Sequence, residues 1–351
     1  MKLQRRNVRY ALISAASSAA LLLGACSTPA DDATTSVDGA GAAGESASVG
    51  ASANSLVITD NYGEKTIPQP VETVVVTDNR AFEILADWGV KVAAAPLGIV
   101  PQSLEGAYNR DTVAIDLGMH TDPNLEGVVA VQPDLVWNGQ RFTQHQKALE
   151  ELLPNVPVVD FSPREDGQLL DQELIRHTKA LGEVFGHEAE AQKLIDDFTA
   201  AVARARAAYD PEMKVIAVNT TGGKIGFIAP TVGRTFGPVY DLLGLTPALE
   251  VEGASDDHQG DDISVEAIAQ ANPDFIMVLD RDAAVASDEP GYTPGADLIK
   301  NNPALRHVKA IENDAVLVAP ADTYRNEGII TYTEILNALA DSFEEQSAQN
   351  S

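Results

Sequence analysis

The strongest constraint on the fold is a stretch that occurs twice, 140 positions apart. The first copy starts at Asn124 and runs to Arg141, and the second starts at Ser264 and runs to Arg281. Overlaid without a gap, both have Glu at the third place (Glu126, Glu266) and Pro-Asp at the tenth and eleventh (Pro133-Asp134, Pro273-Asp274). Both have Arg at the eighteenth. Each copy reads as a short helix, a turn that stops it, and a buried strand. Asn124 and Ser264 are N-cap residues, the two glutamates favour the helix dipole, and the prolines forbid continuation. Two αβ units so far apart in one chain predict two lobes of similar build.

The leading segment carries no fold information. Lys2, Arg5, Arg6 and Arg9 precede an apolar run from Ala11 to Leu23, the pattern of an export signal. It ends Leu23-Gly24-Ala25-Cys26, which resembles the bacterial lipobox, and Cys26 is the only cysteine of the chain. The expectation is an exported protein lipidated at Cys26 and held at the extracytoplasmic face of the cell membrane. Residues 27–54 are mostly Ala, Ser, Gly, Thr and Asp, too poor in large apolar side chains to offset their ordering entropy, and read as a flexible tether. The formal charge of −28 argues against nucleic acid as a partner. Without the leader the imbalance grows, because it takes four of the 24 basic residues and none of the 52 acidic ones.

From Leu56 the pattern is globular. A hairpin about Asn61-Tyr62-Gly63 leads into strand Val74–Val76, a helix reaching Trp88, strand Val90–Ala94 and the first repeat copy. Helix Gln144–Leu152 and strand Val156–Val159 complete an N-terminal αβ lobe, 55–167. Residues 168–210 are helical, with Ala191, Leu194, Ile195, Phe198, Ala201, Val202 and Ala205 spaced by three and four in the second helix. At about 1.5 Å per residue that helix spans roughly 30 Å and is a candidate interlobe strut. Residues 211–345 form the C-terminal αβ lobe, with strands Lys214–Val218, Ile225–Ile228, Phe275–Leu279 and Ala315–Val318. Its helices are Thr235–Leu243, Gly295–Lys300 and a closing helix Ile330–Phe343. The expected fold class is α/β: two lobes with mostly parallel central sheets, joined by a single long helix, with a ligand cleft between them.

Arg141 and Arg281 fall beyond the carboxyl ends of equivalent strands, the edge of an open αβ sheet that faces its ligand crevice. Arg234, in Gly233-Arg234-Thr235-Phe236-Gly237, precedes a helix start. Each alone reads first as a solvated or structural ion pair; as a set, with two of them at matched positions, they suit an anion. His258 lies among Asp256, Asp257, Asp261 and Asp262 and is either a solvated loop residue or part of a weak divalent-cation site. Tyr324 follows the last strand. There is no nucleophile elbow, P-loop, dinucleotide fingerprint or paired metal-binding histidine motif, so the chain reads as a capture protein rather than an enzyme.

With the lipobox, the two Glu…Pro-Asp units and the linking helix, the chain from Leu56 to Phe343 resembles the substrate-binding lipoproteins of iron–siderophore ABC importers. Among these helix-hinged periplasmic-binding proteins it is most similar to the ferric-catecholate subgroup. The resemblance implies a basic triad of Arg141, Arg234 and Arg281 around the ligand. It implies that His258 and Tyr324 ligate iron directly where a siderophore leaves positions open. It also implies that Glu126 and Glu266 dock on the ABC permease. A monomer follows, with no cofactor of its own and Fe(III)-siderophore as ligand. The competing readings are haem or another iron chelate in the same fold, and a free divalent-metal receptor. The expected geometry is two exposed glutamates on one outer surface, with Arg141 and Arg281 facing each other across the cleft.

Overall fold

The computed structural model describes residues 54–164 and 169–349. The export signal, Cys26, the tether up to residue 53 and the expected helix start at Gln168 lie outside the described residues. No helix among the described residues is long and apolar enough to cross a membrane.

The chain opens with the expected hairpin, Ser55–Asp60 (β1) against Gly63–Pro68 (β2), antiparallel. The N-terminal lobe follows: Val74–Val76 (β3), Phe82–Asp87 (α1), Val92–Ala95 (β4), Ile115–Asp116 (β5), and a two-residue hairpin of Gly118–Met119 (β6) and Asp122–Pro123 (β7). Then come Leu125–Ala130 (α2), Leu135–Asn138 (β8), Gln146–Leu152 (α3) and Val158–Asp160 (β9). Its sheet runs β5-β4-β3-β8-β9, all parallel. The strand order reverses between β3 and β8, and such a switch point opens a crevice beyond the strand ends. Val75, Val136 and Val158 pack on one face with Val128, Leu149 and Leu153. Val74, Val76, Leu135 and Trp137 enter the main core on the other face. Burial on both faces is why these strands read as unbroken apolar runs rather than alternating ones.

Leu170–Phe185 (α4) ends at Gly186, whose φ of 71° forms a left-handed cap. Glu188–Ala208 (α5) runs from one lobe to the other. At its start His187 stacks on Trp88, ring centroids 4.9 Å apart, and near its end Arg206 Nε donates to the Leu242 carbonyl at 2.6 Å. The C-terminal lobe comprises Lys214–Thr221 (β10), Lys224–Ile228 (β11), Gly237–Leu243 (α6), Thr246–Pro247 (β12), Val265–Ala271 (α7) and Phe275–Asp280 (β13). Arg281–Val285 (α8), Gly295–Lys300 (α9), Lys309–Glu312 (α10), Val316–Val318 (β14) and Ile329–Gln349 (α11) complete it. Its sheet runs β11-β10-β13-β14, with β10, β13 and β14 parallel and β11 antiparallel. The closing helix is longer than the expected Ile330–Phe343, held along its last turns by Arg204 bridging Asp341 and Glu344. Helix α6 starts at Gly237 instead of Thr235 because the preceding residues are committed to a loop.

The two repeat copies fold alike. Asn124 Oδ1 accepts from Gly127 N at 3.0 Å and Ser264 Oγ from Ala267 N at 3.1 Å, the expected caps of α2 and α7. Each helix is followed by a residue in the left-handed region, Gln132 at φ 49° and Asn272 at φ 47°. The aspartates then explain the Pro-Asp pair. Asp134 accepts from the amides of Glu72 and Thr73 at 3.0 and 2.8 Å, and Asp274 from that of Lys214 at 2.9 Å. Each carboxylate thus holds the start of the neighbouring central strand, β3 in one lobe and β10 in the other.

A second crossing joins the lobes. After β14, residues 319–328 pass from the C-terminal lobe onto the N-terminal one. There Asn326 Nδ2 donates to Glu83 at 2.7 Å, and Asn79 Nδ2 donates to the Arg325 carbonyl at 3.0 Å. The main buried core is continuous across both lobes.

Candidate ligand cleft

The loop after β11 is built to present Arg234. Gly233 packs so closely that a Cβ there would lie 2.6 Å from both the nitrogen and the carbonyl oxygen of Ala229. Thr231 and Thr235 hold φ of 68° and 62°, and the turn is closed by Gly233 N to Ala229 O and Thr231 N to Gly237 O, both 2.9 Å. Positive φ at two threonines is stored strain, sustained only because these bonds over-determine the turn.

The three arginines converge on one ring. The guanidinium carbons of Arg141, Arg234 and Arg281 lie 5.0, 4.5 and 5.0 Å from the centroid of Tyr324. Arg141 sits in the short 3-10 turn Gln140–His145 beyond β8, and Arg281 is the first residue of α8, directly after β13. The gap-free repeat therefore delivers one arginine from each lobe to the same aromatic ring, and the third comes from the loop before α6. Tyr324, 6% exposed, sits on the strap between the lobes.

The three have different partners. Arg141 donates to Gln140 Oε1 and the Tyr324 carbonyl, both at 3.2 Å, also hydrogen-bonds the Tyr324 side chain, and feels the Glu327 carboxylate through space. Burial and the neighbouring Arg234 charge hold it below the ordinary arginine range. Arg281 donates to Thr221 Oγ1 at 3.1 Å and lies 3.6 Å from Asp282. Arg234 pairs with the buried Glu327 carboxylate at 2.8 Å, which more than offsets its desolvation and raises its pKa. Burial would raise the Tyr324 phenol, but a hydrogen bond from Arg281 and the charges of Arg234 and Arg141 outweigh it and hold the phenol below its usual range.

His258 also faces this cluster. Its Nδ1 is 3.0 Å from Arg234 Nη1, and its ring is 6.3 Å from that of Tyr324, edge-on. Burial, then repulsion from Arg234 and Arg141, lower its pKa, so the imidazole is neutral at physiological pH and Nδ1 accepts from the guanidinium. The acids around it serve the loop. Asp257 accepts from Gln259 N at 2.8 Å, and Asp261 accepts from Ser255 Oγ at 2.6 Å. No group of three His, Cys, Asp or Glu side chains among the described residues is arranged to hold a metal ion.

Sequence reasoning missed Glu327 and its neighbours. Glu327 accepts from Thr235 Oγ1 at 2.6 Å and Gln140 Nε2 at 3.3 Å as well as from Arg234. Although burial would raise it, Arg234 and Arg80 hold its carboxyl below the usual range. Arg80 and Arg325 also belong to the basic lining; burial and Arg141 lower the pKa of Arg325. The one available signal was a carboxylate three residues past Tyr324. Glu126 and Glu266 stand apart from the cleft, exposed in the first turns of α2 and α7. A separate cavity of about 740 Å³ is lined by Leu169, Glu173, Val232, Asp241 and Asp256, and none of the three arginines lines it.

Fold and site together define a class: a two-lobed α/β binding protein whose cleft is lined with arginine. The periplasmic binding protein model matches residues 74–323. The chain belongs to that family, whose members bind substrates rather than transform them. It is 31% identical over 272 residues to the ferric-anguibactin-binding protein FatB of Vibrio anguillarum, covering 77% of this chain and 81% of that one. It is 24% identical over 291 residues to the petrobactin-binding protein YclQ of Bacillus subtilis, covering 81% and 86%. Among solved structures, the periplasmic catecholate-siderophore binding protein VctP from Vibrio cholerae shares the fold. Its TM-score is 0.71 at 21% identity, over 82% of this chain and all of that one.

Proposed function

We propose that this chain captures a ferric siderophore of catecholate type and delivers it to the membrane subunits of an ABC importer. The observation that carries the reading is the convergence of three guanidiniums on Tyr324. A ferric catecholate is anionic, and in a half-buried site each charge-assisted bond to a guanidinium contributes on the order of 1.5–3 kcal/mol. The buried Nε groups of Arg234 and Arg281 have no acceptor among the described residues, an arrangement that an anionic oxygen-rich ligand relieves. Tyr324 and His258 supply a phenol held below its usual pKa range and a neutral imidazole, both ligands for a hard ferric ion where the chelator leaves positions open.

Delivery uses the repeat glutamates. Glu126 and Glu266 are exposed and equivalent, one per lobe, and would meet cationic side chains of the permease. The protein acts as a monomer held at the extracytoplasmic face of the membrane by a lipid on Cys26.

Titration with ferric catecholates, followed by intrinsic fluorescence and melting temperature, tests the reading. Saturable quenching and a raised melting temperature are expected. No response to ferric catecholates, with a response to haem or to a bare divalent cation, would contradict it.

A further inference from the structure

Glu327 is a buried carboxylate in the middle of a basic cluster, 5% exposed and held by Arg234, Thr235 and Gln140. A buried ion pair contributes little net stability compared with apolar packing of the same volume, so its effect here is on charge. Of the guanidiniums around Tyr324, Arg234 is paired with Glu327 and Arg281 faces Asp282, while Arg141 makes no ion pair among the described residues and feels Glu327 only through space. Behind them Arg80 lies within the field of Asp78 and Glu327, and Arg325 within that of Glu105. The basic lining is therefore largely balanced, with its surplus at Arg141.

We propose that Glu327 is a specificity-determining residue that limits how much negative charge the cleft accepts, favouring metal chelates of low net negative charge. The proposal rests on the cleft being the ferric-chelate site. A second negative body close to Glu327 is repelled in proportion to its own charge, and in a half-buried site one unit of ligand charge changes affinity by about tenfold. The wild-type site is thus tuned below the charge of a ferric tris-catecholate, about three negative charges net.

One tris-catecholate ligand supplies a clean pair of probes. Its iron(III) and titanium(IV) complexes share shape and denticity but differ by about one unit of charge. Both are titrated by fluorescence into the wild type and Glu327→Gln, which keeps an acceptor for Thr235. Wild type should favour the titanium complex. In Glu327→Gln the iron complex should gain about tenfold relative to it, with a steeper salt dependence. An unchanged ratio in a folded Glu327→Gln protein overturns the proposal. If that variant does not fold, Asp282→Asn removes the second carboxylate and must move the ratio the same way; no movement overturns the proposal. A wild type that binds neither complex at Tyr324 instead defeats the reading of the cleft itself.

Discussion

The two repeat units are built alike, and they differ at the arginine. Both use a capped short helix, a left-handed stop and an aspartate that holds the next strand. In the N-terminal lobe the strand ends early, and a 3-10 turn carries Arg141 into the cleft with no carboxylate at ion-pair distance among the described residues. In the C-terminal lobe β13 runs two residues further, and Arg281 opens a helix beside Asp282. Equivalent scaffolding thus delivers one bare cation and one tempered cation to the same ring. The scaffold fixes where the charges go; the residues just beyond the strands fix how strong they are.

The largest effect falls on the arginine outside the repeat. Arg234→Ala removes the ion-pair partner of the buried Glu327 and should cost about 3 kcal/mol in chemical denaturation. Glu327 also carries a pH signature. Its folded pKa is depressed, so its stabilising contribution is fully present above its ordinary value of 4.5 and is lost as pH falls through the folded pKa. Acid titration of Glu327→Gln should lack that part of the loss below pH 4.5.

Next comes the comparison itself. Arg141→Gln should weaken ferric-catecholate affinity by about 2–3 kcal/mol, and Arg281→Gln by about half of that, because Asp282 already draws on its charge. Equal losses from the two variants would erase the distinction between the lobes. Within the scaffold, Asp134→Ala and Asp274→Ala each free strand-start amides and should lower stability by about 1–2 kcal/mol without touching affinity. The smallest effects belong to the caps, Asn124→Ala and Ser264→Ala, at roughly 1 kcal/mol or less each in thermal melts.

Much of this was legible in the sequence. The repeat is local physics, cap, breaker and buried strand, and so the lobes, the parallel sheets and the strand-end arginines followed from it. The strap at 319–328 was not legible, because no periodicity marks an irregular segment that earns its place through long-range contacts such as Asn326 to Glu83. Glu327 escaped for the same reason: its partners Arg234 and Gln140 lie 93 and 187 residues away. The role of Asp134 and Asp274 was half visible, since the spacing marked them but their acceptor function needs the neighbouring strand. The acids near His258 read as a possible cation site, whereas Asp257 and Asp261 spend their oxygens on the loop's own amides and hydroxyl.

The most direct test is a crystal structure of the protein with a ferric catecholate bound. The chelate should lie against Tyr324 with its oxygens within hydrogen-bond distance of Arg141, Arg234 and Arg281. A chelate seated instead in the separate cavity by Leu169, Val232 and Asp241, with the three guanidiniums still gathered on the Tyr324 ring, would contradict the account.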